Sequence, residues 1–425
     1  IKGRKVMEKK VSLYEKYRWL IAVTLLAFGT YAMFGLPTMK SVFYEPMRVS
    51  LGLTHEQFGR VNGIYGKICF LMYFPGGWLA DKFDARKLLC FSYIASGALG
   101  LYLATYPSYT GIQLTFMAWG ITTILTFWAT QIKVIRSLGS DEMQGKIFGV
   151  ENGLEGVSGM IISFIALAIF GMVSVEALGL RYVLIFQSVL TIVIGIISYI
   201  VLKDVKITDS EETKYTFKDY LGVLKLPQVW IVGGIICCFY LMRASLSYIS
   251  PYLESGFLMT ATLVGTVSII RQTGTKIFAG PVFGALSDKR GSTIFMMIVG
   301  FVIAIICVVG MMVTPVEQSN TMLVVVLMLV LAFVLFGMTG IGFAQISESK
   351  IPLRYTGAAA GLISVIGYVP DTFYYDIAGS WIENYGIAGY QRIFMLSAVV
   401  GVAGIILSIV LSRLIKKLKA ESENA

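Results

Sequence analysis

The stretch Gly77-Trp-Leu-Ala-Asp81-Lys82 recurs as Gly284-Ala-Leu-Ser-Asp288-Lys289, and the second aspartate stands 207 residues after the first. Each copy closes a long apolar block and opens a short charged loop. A pattern that recurs at the matching place in two halves of a chain indicates an internal structural repeat. The first expectation is therefore a fold made of two similar halves.

The composition indicates a protein that folds within a lipid bilayer. The 425 residues are 56% hydrophobic and 14% charged, with a mean hydropathy of +0.76. Soluble proteins are about 45–50% apolar and about 25% charged. These values exclude a water-soluble enzyme, a disordered chain and a coiled coil, and they indicate a polytopic membrane protein.

Long apolar blocks run through the whole chain. A helix that crosses a bilayer needs about 20 mostly apolar residues. Twelve segments meet this requirement: 18–42, 58–80, 87–106, 111–136, 146–173, 181–203, 229–250, 260–285, 291–314, 320–346, 355–379 and 389–414. We predict an all-α membrane protein with twelve transmembrane helices in two pseudo-symmetric six-helix bundles. The bundles are expected at 1–203 and 229–425, joined by a cytoplasmic linker at 204–228.

The charges between these segments indicate how the chain is oriented. The formal net charge is +10. Basic residues concentrate at the chain ends and in alternate loops, such as Asp81–Lys87, whereas loops such as Tyr106–Gly111 hold almost none. Cytoplasmic loops of membrane proteins carry the excess of Lys and Arg. We therefore place both termini in the cytoplasm, predict a bacterial inner-membrane protein, and expect the lipid bilayer rather than nucleic acid as the partner of the basic residues.

Histidine and cysteine chemistry is poorly supported. The single histidine, His55, stands in a predicted outside loop, and all five cysteines lie inside apolar blocks. A disulfide framework would need cysteines in loops, and a metal site would need ligands at suitable spacing. We expect no metal site, no cofactor and no enzymatic activity, since no nucleophile–base pair stands at a plausible spacing either.

The repeated loop pattern resembles the loop motif of the major facilitator superfamily, Gly-x-x-x-Asp-Arg/Lys-x-Gly-Arg-Arg/Lys. Gly77, Asp81, Lys82 and Arg86 match this motif, whereas Asp84-Ala85 stands where the family often has Gly-Arg. The resemblance covers the whole chain and implies alternating access by rocking of two halves. It also implies gating roles at the cytoplasmic helix ends for Asp81, Lys82, Arg86, Asp288 and Arg290.

The seventh predicted helix is similar to one branch of that family. Its sequence Tyr240-Leu-Met-Arg243 is followed by Ser250-Pro-Tyr-Leu253. The organophosphate and organic-anion branch carries Tyr-Leu-Leu-Arg and a Ser-Pro-x-Tyr-Leu element here, and its arginine binds the anion. Tyr17-Arg18-Trp19 and Asn152 are similar to that branch too. Its antiporters have a second arginine in the first helix, where this chain has Phe34-Gly-Leu-Pro37, so a different anion or an altered clamp is expected.

Charged residues inside the apolar blocks are candidates for the site, because such groups usually face a cavity or a partner. Arg243 is the expected anion anchor, since a guanidinium grips carboxylate, phosphate or sulfonate groups in bidentate fashion. Tyr240 and Ser247 share its helix face. The predicted substrate contacts are Arg243, Lys67, Lys133, Tyr240, Ser247, Asn152, Tyr368 and Asp371. Asp371 follows Pro370, which favours either a broken helix at a gate or substrate contact, or a tolerated kink; pairing of Asp371 with Arg271 is a further expectation.

Two acidic residues suggest proton coupling. Glu151 and Glu155 are one turn apart and therefore stack on one face of the fifth helix. Two like charges in a site of low dielectric constant favour protonation of one of them. The alternative is that a lysine such as Lys133 neutralises the pair.

These features together predict a secondary active transporter of a small organic anion: a sugar phosphate, a sugar acid or a sulfonate. The expected mechanism is alternating access, coupled to protons or driven by exchange with a counter-anion, in a monomer. Two alternatives stay open. One is a proton-coupled transporter of zwitterions such as short peptides, and the other is a transporter-like membrane sensor.

Overall fold

The protein is built from long helices that run through the fold. The computed structural model describes residues 13–138, 144–204, 222–352 and 355–423. Within these ranges the six helices of the first half, α1–α6, are Leu13–Gly35, His55–Lys82, Ala85–Leu103, Tyr109–Arg136, Gln144–Gly171 and Glu176–Val201. The six of the second half, α7–α12, are Pro227–Phe257, 261–290, Thr293–Val313, Gln318–Glu348, 356–385 and Ile387–Glu423. The prediction of twelve helices is confirmed.

Length and composition agree with a membrane fold. Among the described residues, seven of these helices are long and apolar enough to cross a bilayer by those criteria alone. Helix α1 contains a shorter apolar stretch, Trp19–Gly35. Other helices carry charged residues; α2, for example, contains Lys67 and Arg60. Such residues in a spanning helix face protein or a water-filled cavity.

The first helix ends earlier than predicted. Helix α1 stops at Gly35, and a 3₁₀ turn at Met39–Ser41 and a short helix at Tyr44–Ser50 follow. Pro37 explains this end, because proline has no N–H to continue the helical ladder. His55, predicted in a loop, instead opens α2, which Thr54 caps in a capping box with Gln57.

Four helices contain irregular turns near the middle of the fold. Helix α4 has a π-helical segment at Ile121–Trp128, and α8 has one at Ile270–Gly274. Helix α7 narrows to a 3₁₀ turn at Leu246–Tyr248, and α11 does so at Val369–Thr372. Pro370 lies in the last of these, so the break predicted in the eleventh helix is present. Such turns redirect side chains and occur frequently at functional sites.

The two halves repeat the same helix pairings. In the first half α1 packs on α5, α2 on α4 and α3 on α6; in the second half α7 packs on α11, α8 on α10 and α9 on α12. This repetition is the pseudo-symmetry of two six-helix bundles. The boundaries at 203 and 229 stay a prediction, and most of the predicted linker lies outside the described residues.

Hydrogen bonds join helices inside each bundle. The Ser96 hydroxyl donates to Thr122 Oγ1 at 2.6 Å, and the Trp119 indole N–H donates to the Ser96 carbonyl at 3.1 Å. Both bonds connect α3 with α4. Polar groups at membrane depth must be satisfied within the protein, since lipid offers no partners.

The halves meet along α2 and α11 and along α5 and α8. The α2–α11 contact is close toward the periplasmic end, where a Cβ built on Gly59 would lie 3.1 Å from the Gly379 Cα. At this end the His55 backbone N–H also donates to Glu383 Oε2 at 2.7 Å. The periplasmic side is therefore closed.

The described cytoplasmic ends of the helices are less closely packed than the periplasmic ends. A Cβ built on Gly149 in α5, or on Gly280 in α8, would meet no described atom within 4 Å. Gly77, at the cytoplasmic end of α2, is equally clear of described neighbours. Among the described residues, this difference between the two ends indicates an inward-open arrangement of the two bundles.

We expect Gly59→Ala to lower the melting temperature of the detergent-purified protein. Its new Cβ would overlap the Tyr375 carbonyl oxygen, which is backbone and cannot swing aside. Overpacking of this kind costs about 1–3 kcal/mol. Gly149→Ala is the matched control, because open space surrounds that position. Equal melting temperatures for the two variants would contradict the close α2–α11 packing.

Candidate functional site

Charged and aromatic side chains from both halves meet where α7 and α11 are irregular. We call this group the central cluster. It consists of Lys40, Tyr240, Arg243, Tyr368, Asp371 and Tyr375. Lys40 comes from the turn after α1, and the other five residues come from α7 and α11.

Arg243 is held by an aromatic neighbour on its own helix. Its Nη2 donates to the Tyr240 hydroxyl at 2.6 Å, and its guanidinium carbon lies 4.3 Å from the centre of the Tyr240 ring. Phe336 of α10 lies on the guanidinium as well, at 6.0 Å. A guanidinium has five N–H donors, so the bond to Tyr240 leaves donor capacity for an anion.

Lys40 supplies the second cation of the cluster. This side chain is only 7% exposed, and its Nζ lies 3.3 Å from the centre of the Tyr375 ring. The sequence alone does not single out Lys40, because it stands at the end of the predicted helix 18–42. The signal that could have found it is Pro37, which ends α1 and turns the following residues into the fold.

Asp371 is the acidic member of the cluster. Its carboxylate interacts electrostatically with both Arg243 and Lys40. It lies in the 3₁₀ turn of α11, and that turn packs so closely on α2 that a Cβ on Gly66 would overlap the Asp371 carbonyl oxygen. The turn that carries Asp371 is therefore seated at the boundary between the two halves.

The expected pairing of Arg271 with Asp371 is wrong. Arg271 is 2% exposed and donates to two carbonyl oxygens, that of Leu246 and, at 2.7 Å, that of Ser41. Because the α8 π-helical segment carries Arg271 toward the turn after α1, backbone oxygens satisfy the guanidinium. This residue joins the two halves structurally.

Aromatic rings line the cytoplasmic side of the cluster. The rings of Tyr240 and Tyr368 meet edge to face with centroids 4.5 Å apart, and Tyr73 of α2 lies nearly parallel to Tyr368 at 6.1 Å. These rings come from both halves. They give the site apolar faces with hydroxyl groups, which suit a polar organic ligand.

Two ion pairs cross between the halves. Lys67 of α2 donates to Asp376 of α11 at 2.7 Å, and Lys276 of α8 lies 2.8 Å from Glu155 of α5. The helices involved correspond under the pseudo-symmetry, since α2 matches α8 and α5 matches α11. Lys67 thus has an acidic partner in this conformation, and its contact with substrate stays a prediction.

Glu151 is more deeply buried than Glu155. It is 6% exposed, and its Oε1 accepts hydrogen bonds from Thr30 and from the Gln131 amide, both at 3.1 Å. The alternative that a lysine neutralises these acids holds for Glu155, but the lysine is Lys276 and not Lys133. Glu155 pairs with Lys276, as described above. Lys133 instead donates to the Ala80 carbonyl at 3.1 Å and to Asp81 at 3.4 Å.

In the loop after α2, Asp84 stands where the family motif has glycine, and it has a structural role there. Asp84 accepts hydrogen bonds from the backbone N–H groups of Arg86 and Lys87, at 2.9 and 3.2 Å, and so caps α3. Burial alone would raise the pKa of Asp84, but these hydrogen bonds hold that pKa below its usual value. Arg86 reaches across to the Lys203 carbonyl at 3.0 Å, and this bond ties the loop to the end of α6.

The other loop residues take different positions. Lys82 lies over the Trp78 ring at 4.7 Å, Arg290 lies over the Phe295 ring at 5.1 Å, and Asp288 is exposed. In the second half Ser292 caps α9 by accepting from the Phe295 backbone N–H at 3.2 Å, and Glu348 accepts from the Thr293 backbone N–H at 2.7 Å.

Two further predicted contacts lie on α5 and α7. Asn152 is exposed, and its amide donates to the Phe148 carbonyl at 2.9 Å, within α5. Ser247 is half-buried in the 3₁₀ turn of α7, one turn beyond Arg243. Substrate contact by either residue stays a prediction.

A double-mutant cycle tests the ion pair between α2 and α11. We expect Lys67→Ala to destabilise the protein, because it leaves the Asp376 carboxylate at the interface without its ammonium partner. The double variant Lys67→Ala/Asp376→Ala should lose less stability than the two single variants lose in sum. Both side chains are partly exposed, so the coupling energy should be about 0.2–1 kcal/mol in thermal unfolding. Additive effects would show that the pair does not stabilise this conformation.

Comparison with known proteins agrees with this geometry. The model of the Major Facilitator Superfamily matches residues 19–373. The chain is 31% identical to the inner membrane protein YihN of Escherichia coli K12, over 96% of this chain and 98% of that protein. It is 28% identical to the inner membrane protein YqcE of the same organism, over 90% and 92%.

A solved structure shows the same fold. A bacterial homologue of the human lysosomal transporter Spinster, in an inward-facing and occupied conformation, superposes with a TM-score of 0.75. The match covers 94% of this chain and 97% of that one at 14% sequence identity, so it bears on the fold alone. The matched family is one of transporters rather than enzymes, and the two relatives are inner-membrane proteins. The chain belongs to the Major Facilitator Superfamily.

Proposed function

We propose that this protein is a secondary transporter of small organic anions, with Arg243 and Lys40 as the cationic contacts. The observation that carries the proposal is that one cluster receives a cation from each half, the buried Lys40 and the half-buried Arg243. An anion that binds both groups would hold the halves together at the site. Binding would then favour one arrangement of the bundles, as alternating access requires.

The surroundings of the two cations support an organic ligand. The anionic group would lie against Arg243 and Lys40, and the rest of the molecule would lie against Tyr240, Tyr368 and Tyr73. In the inward-open conformation this ligand enters or leaves through the cytoplasmic side. Movement of the bundles would separate α2 from α11, break the Lys67–Asp376 pair and open the periplasmic side. We expect the protein to act as a monomer.

Proton coupling is assigned to the acidic pair of α5. Glu151 and Glu155 carry two carboxylates, whereas Lys276 supplies one ammonium group. A proton on Glu151 would balance this difference, and Thr30 and Gln131 are its hydrogen-bond partners. Because Lys276 belongs to the other half, rocking of the bundles would change the charge around the pair. Exchange against a counter-anion is the alternative mechanism.

We also propose that charged residues at the cytoplasmic ends of the helices form a gate. Lys133 lies against Asp81 and the carbonyl of Ala80, so we assign it to the cytoplasmic gate together with Asp81, Lys82 and Arg86. Asp288 and Arg290 would have the corresponding role in the second half.

Substitution of the two cations tests the anion site. We expect Arg243→Gln and Lys40→Gln each to weaken binding of organic anions roughly tenfold or more, since hydrogen bonds to charged groups contribute about 1.5–3 kcal/mol. The measurement is the ligand-induced rise in melting temperature with sugar phosphates, sugar acids, sulfonates and dipeptides. Lys289→Gln, at the exposed cytoplasmic end of α8, is the control.

Each outcome of this panel separates the candidate functions. If Arg243→Gln binds organic anions with unchanged affinity, Arg243 is not the anion anchor. Stabilisation by dipeptides alone would favour a transporter of zwitterions. Anion binding without uptake into proteoliposomes would favour a membrane sensor.

Uptake under an imposed pH gradient tests proton coupling. We expect Glu151→Gln to abolish stimulation of uptake by an inward proton gradient, because an amide cannot gain or lose a proton at this position. Exchange of labelled for unlabelled substrate at equal pH should persist. Glu317→Gln, in an exposed periplasmic segment, is the control. Wild-type uptake that ignores the gradient would contradict proton coupling and leave anion exchange as the mechanism.

A further inference from the structure

Arg271 of α8 bonds two segments that lie next to the cations of the central cluster. Its Nη2 donates to the Ser41 carbonyl oxygen at 2.7 Å, and its Nη1 donates to the Leu246 carbonyl oxygen. Ser41 directly follows Lys40, and Leu246 begins the 3₁₀ turn of α7 that comes after Arg243. A guanidinium can make both bonds at once because its N–H donors form a rigid, planar fork. Arg271 therefore ties the turn after α1 to α7.

Lys40 needs such support more than Arg243 does. Lys40 stands in the three-residue 3₁₀ turn Met39–Ser41, ahead of the short helix that begins at Tyr44. Arg243 lies within the α-helical part of α7 and donates to Tyr240, three residues earlier. A short 3₁₀ turn has poorer hydrogen-bond geometry than an α-helix. Bonds from outside the turn therefore contribute more to the position of Lys40.

A second donor reaches the same carbonyl oxygen. The Ser250 hydroxyl of α7 donates to the Ser41 carbonyl at 3.4 Å, and it lies 2.8 Å from the Ser268 hydroxyl of α8. The Arg271 bond is the shorter one and carries a charge, and charge-assisted hydrogen bonds are roughly twice as strong as neutral ones. Both donors belong to the second half, whereas Ser41 belongs to the first. The position of Lys40 is thus set across the boundary between the halves.

We propose that Arg271 is a positioning residue of the anion site, which holds Lys40 over the Tyr375 ring through its bond to Ser41. The Lys40 ammonium lies 3.3 Å from the centre of that ring. Arg271 is itself 2% exposed and bonds backbone oxygens, so it acts on a ligand through Lys40 rather than by contact. Because the bond joins the two halves, the second cation of the site stays in place only while they meet at this turn. This inference rests on the proposed anion transport.

Chemical modification of Lys40 tests the positioning without any ligand. An amine-reactive reagent is applied to the detergent-purified full chain, and mass spectrometry follows the modification rate of each lysine. Lys40 is 7% exposed in the wild type and should react slowly. We expect Arg271→Gln to raise this rate severalfold, because the released turn exposes the ammonium group. Lys289, at the exposed cytoplasmic end of α8, is the control lysine and should react at an unchanged rate.

A double-mutant cycle tests whether Arg271 affects a ligand through Lys40. Titration calorimetry gives the dissociation constants of gluconate and of glucose 6-phosphate for the wild type, Arg271→Gln, Lys40→Gln and the double variant. Arg271→Gln alone should weaken binding about as much as Lys40→Gln does, roughly tenfold. It should cause no further weakening once Lys40 is replaced. Direct attraction between the Arg271 charge and the anion would instead persist in the double variant.

Arg271→Lys separates the fork from the charge. This variant keeps the positive charge but lacks the planar fork that reaches two carbonyl oxygens. It should therefore also raise the modification rate of Lys40 and weaken anion binding. The melting temperature of each unliganded variant reports whether it is folded, and Arg271→Lys provides the test if Arg271→Gln does not fold.

The possible results are distinguishable. An unchanged modification rate of Lys40 in the folded variants would overturn the positioning role, as would wild-type affinity in Arg271→Lys. Equal weakening by Arg271→Gln with and without Lys40 would show that Arg271 acts independently of Lys40. Failure of the wild type to bind either anion would count against the proposed function, and the modification rates would still decide whether Arg271 holds Lys40.

Discussion

The cost of placing charge inside a bilayer governs the arrangement of this protein. A charged side chain at membrane depth must meet an opposite charge, a polar group or a water-filled cavity. Here two such groups have partners across the boundary between the two halves, in the Lys67–Asp376 and Lys276–Glu155 pairs. These interactions make the charges tolerable and also connect the two bundles.

The same boundary combines close packing with an opening. Glycines allow α2 and α11 to touch at the periplasmic end, where Gly59 meets Gly379. Toward the cytoplasm the glycines of α5 and α8 face open space. Close contact at one end and separation at the other give access from a single side. The pseudo-symmetry of the pairings provides the geometry for the opposite arrangement.

The central cluster departs from a clamp made of two arginines. Its cations are a guanidinium bonded to Tyr240 and an ammonium group over the Tyr375 ring, and both interact electrostatically with Asp371. Arginine offers a planar fork of donors, whereas lysine acts as a point charge. A site of this kind can orient one anionic group firmly.

The sequence by itself determined the twelve helices, the two-fold repeat, the orientation and the spacing of Tyr240 with Arg243. These features depend on the length of apolar blocks, the distribution of basic residues and contacts within one helix, all of which are local. Only the tertiary structure decided that Lys40 enters the site, that Glu155 meets Lys276 rather than Lys133, and that backbone oxygens satisfy Arg271. Those partners come from helices far apart in the chain, and irregular turns in the helices set which way their side chains point. A pattern of hydrophobicity encodes neither the packing angles nor the turns, so it cannot determine the pairings.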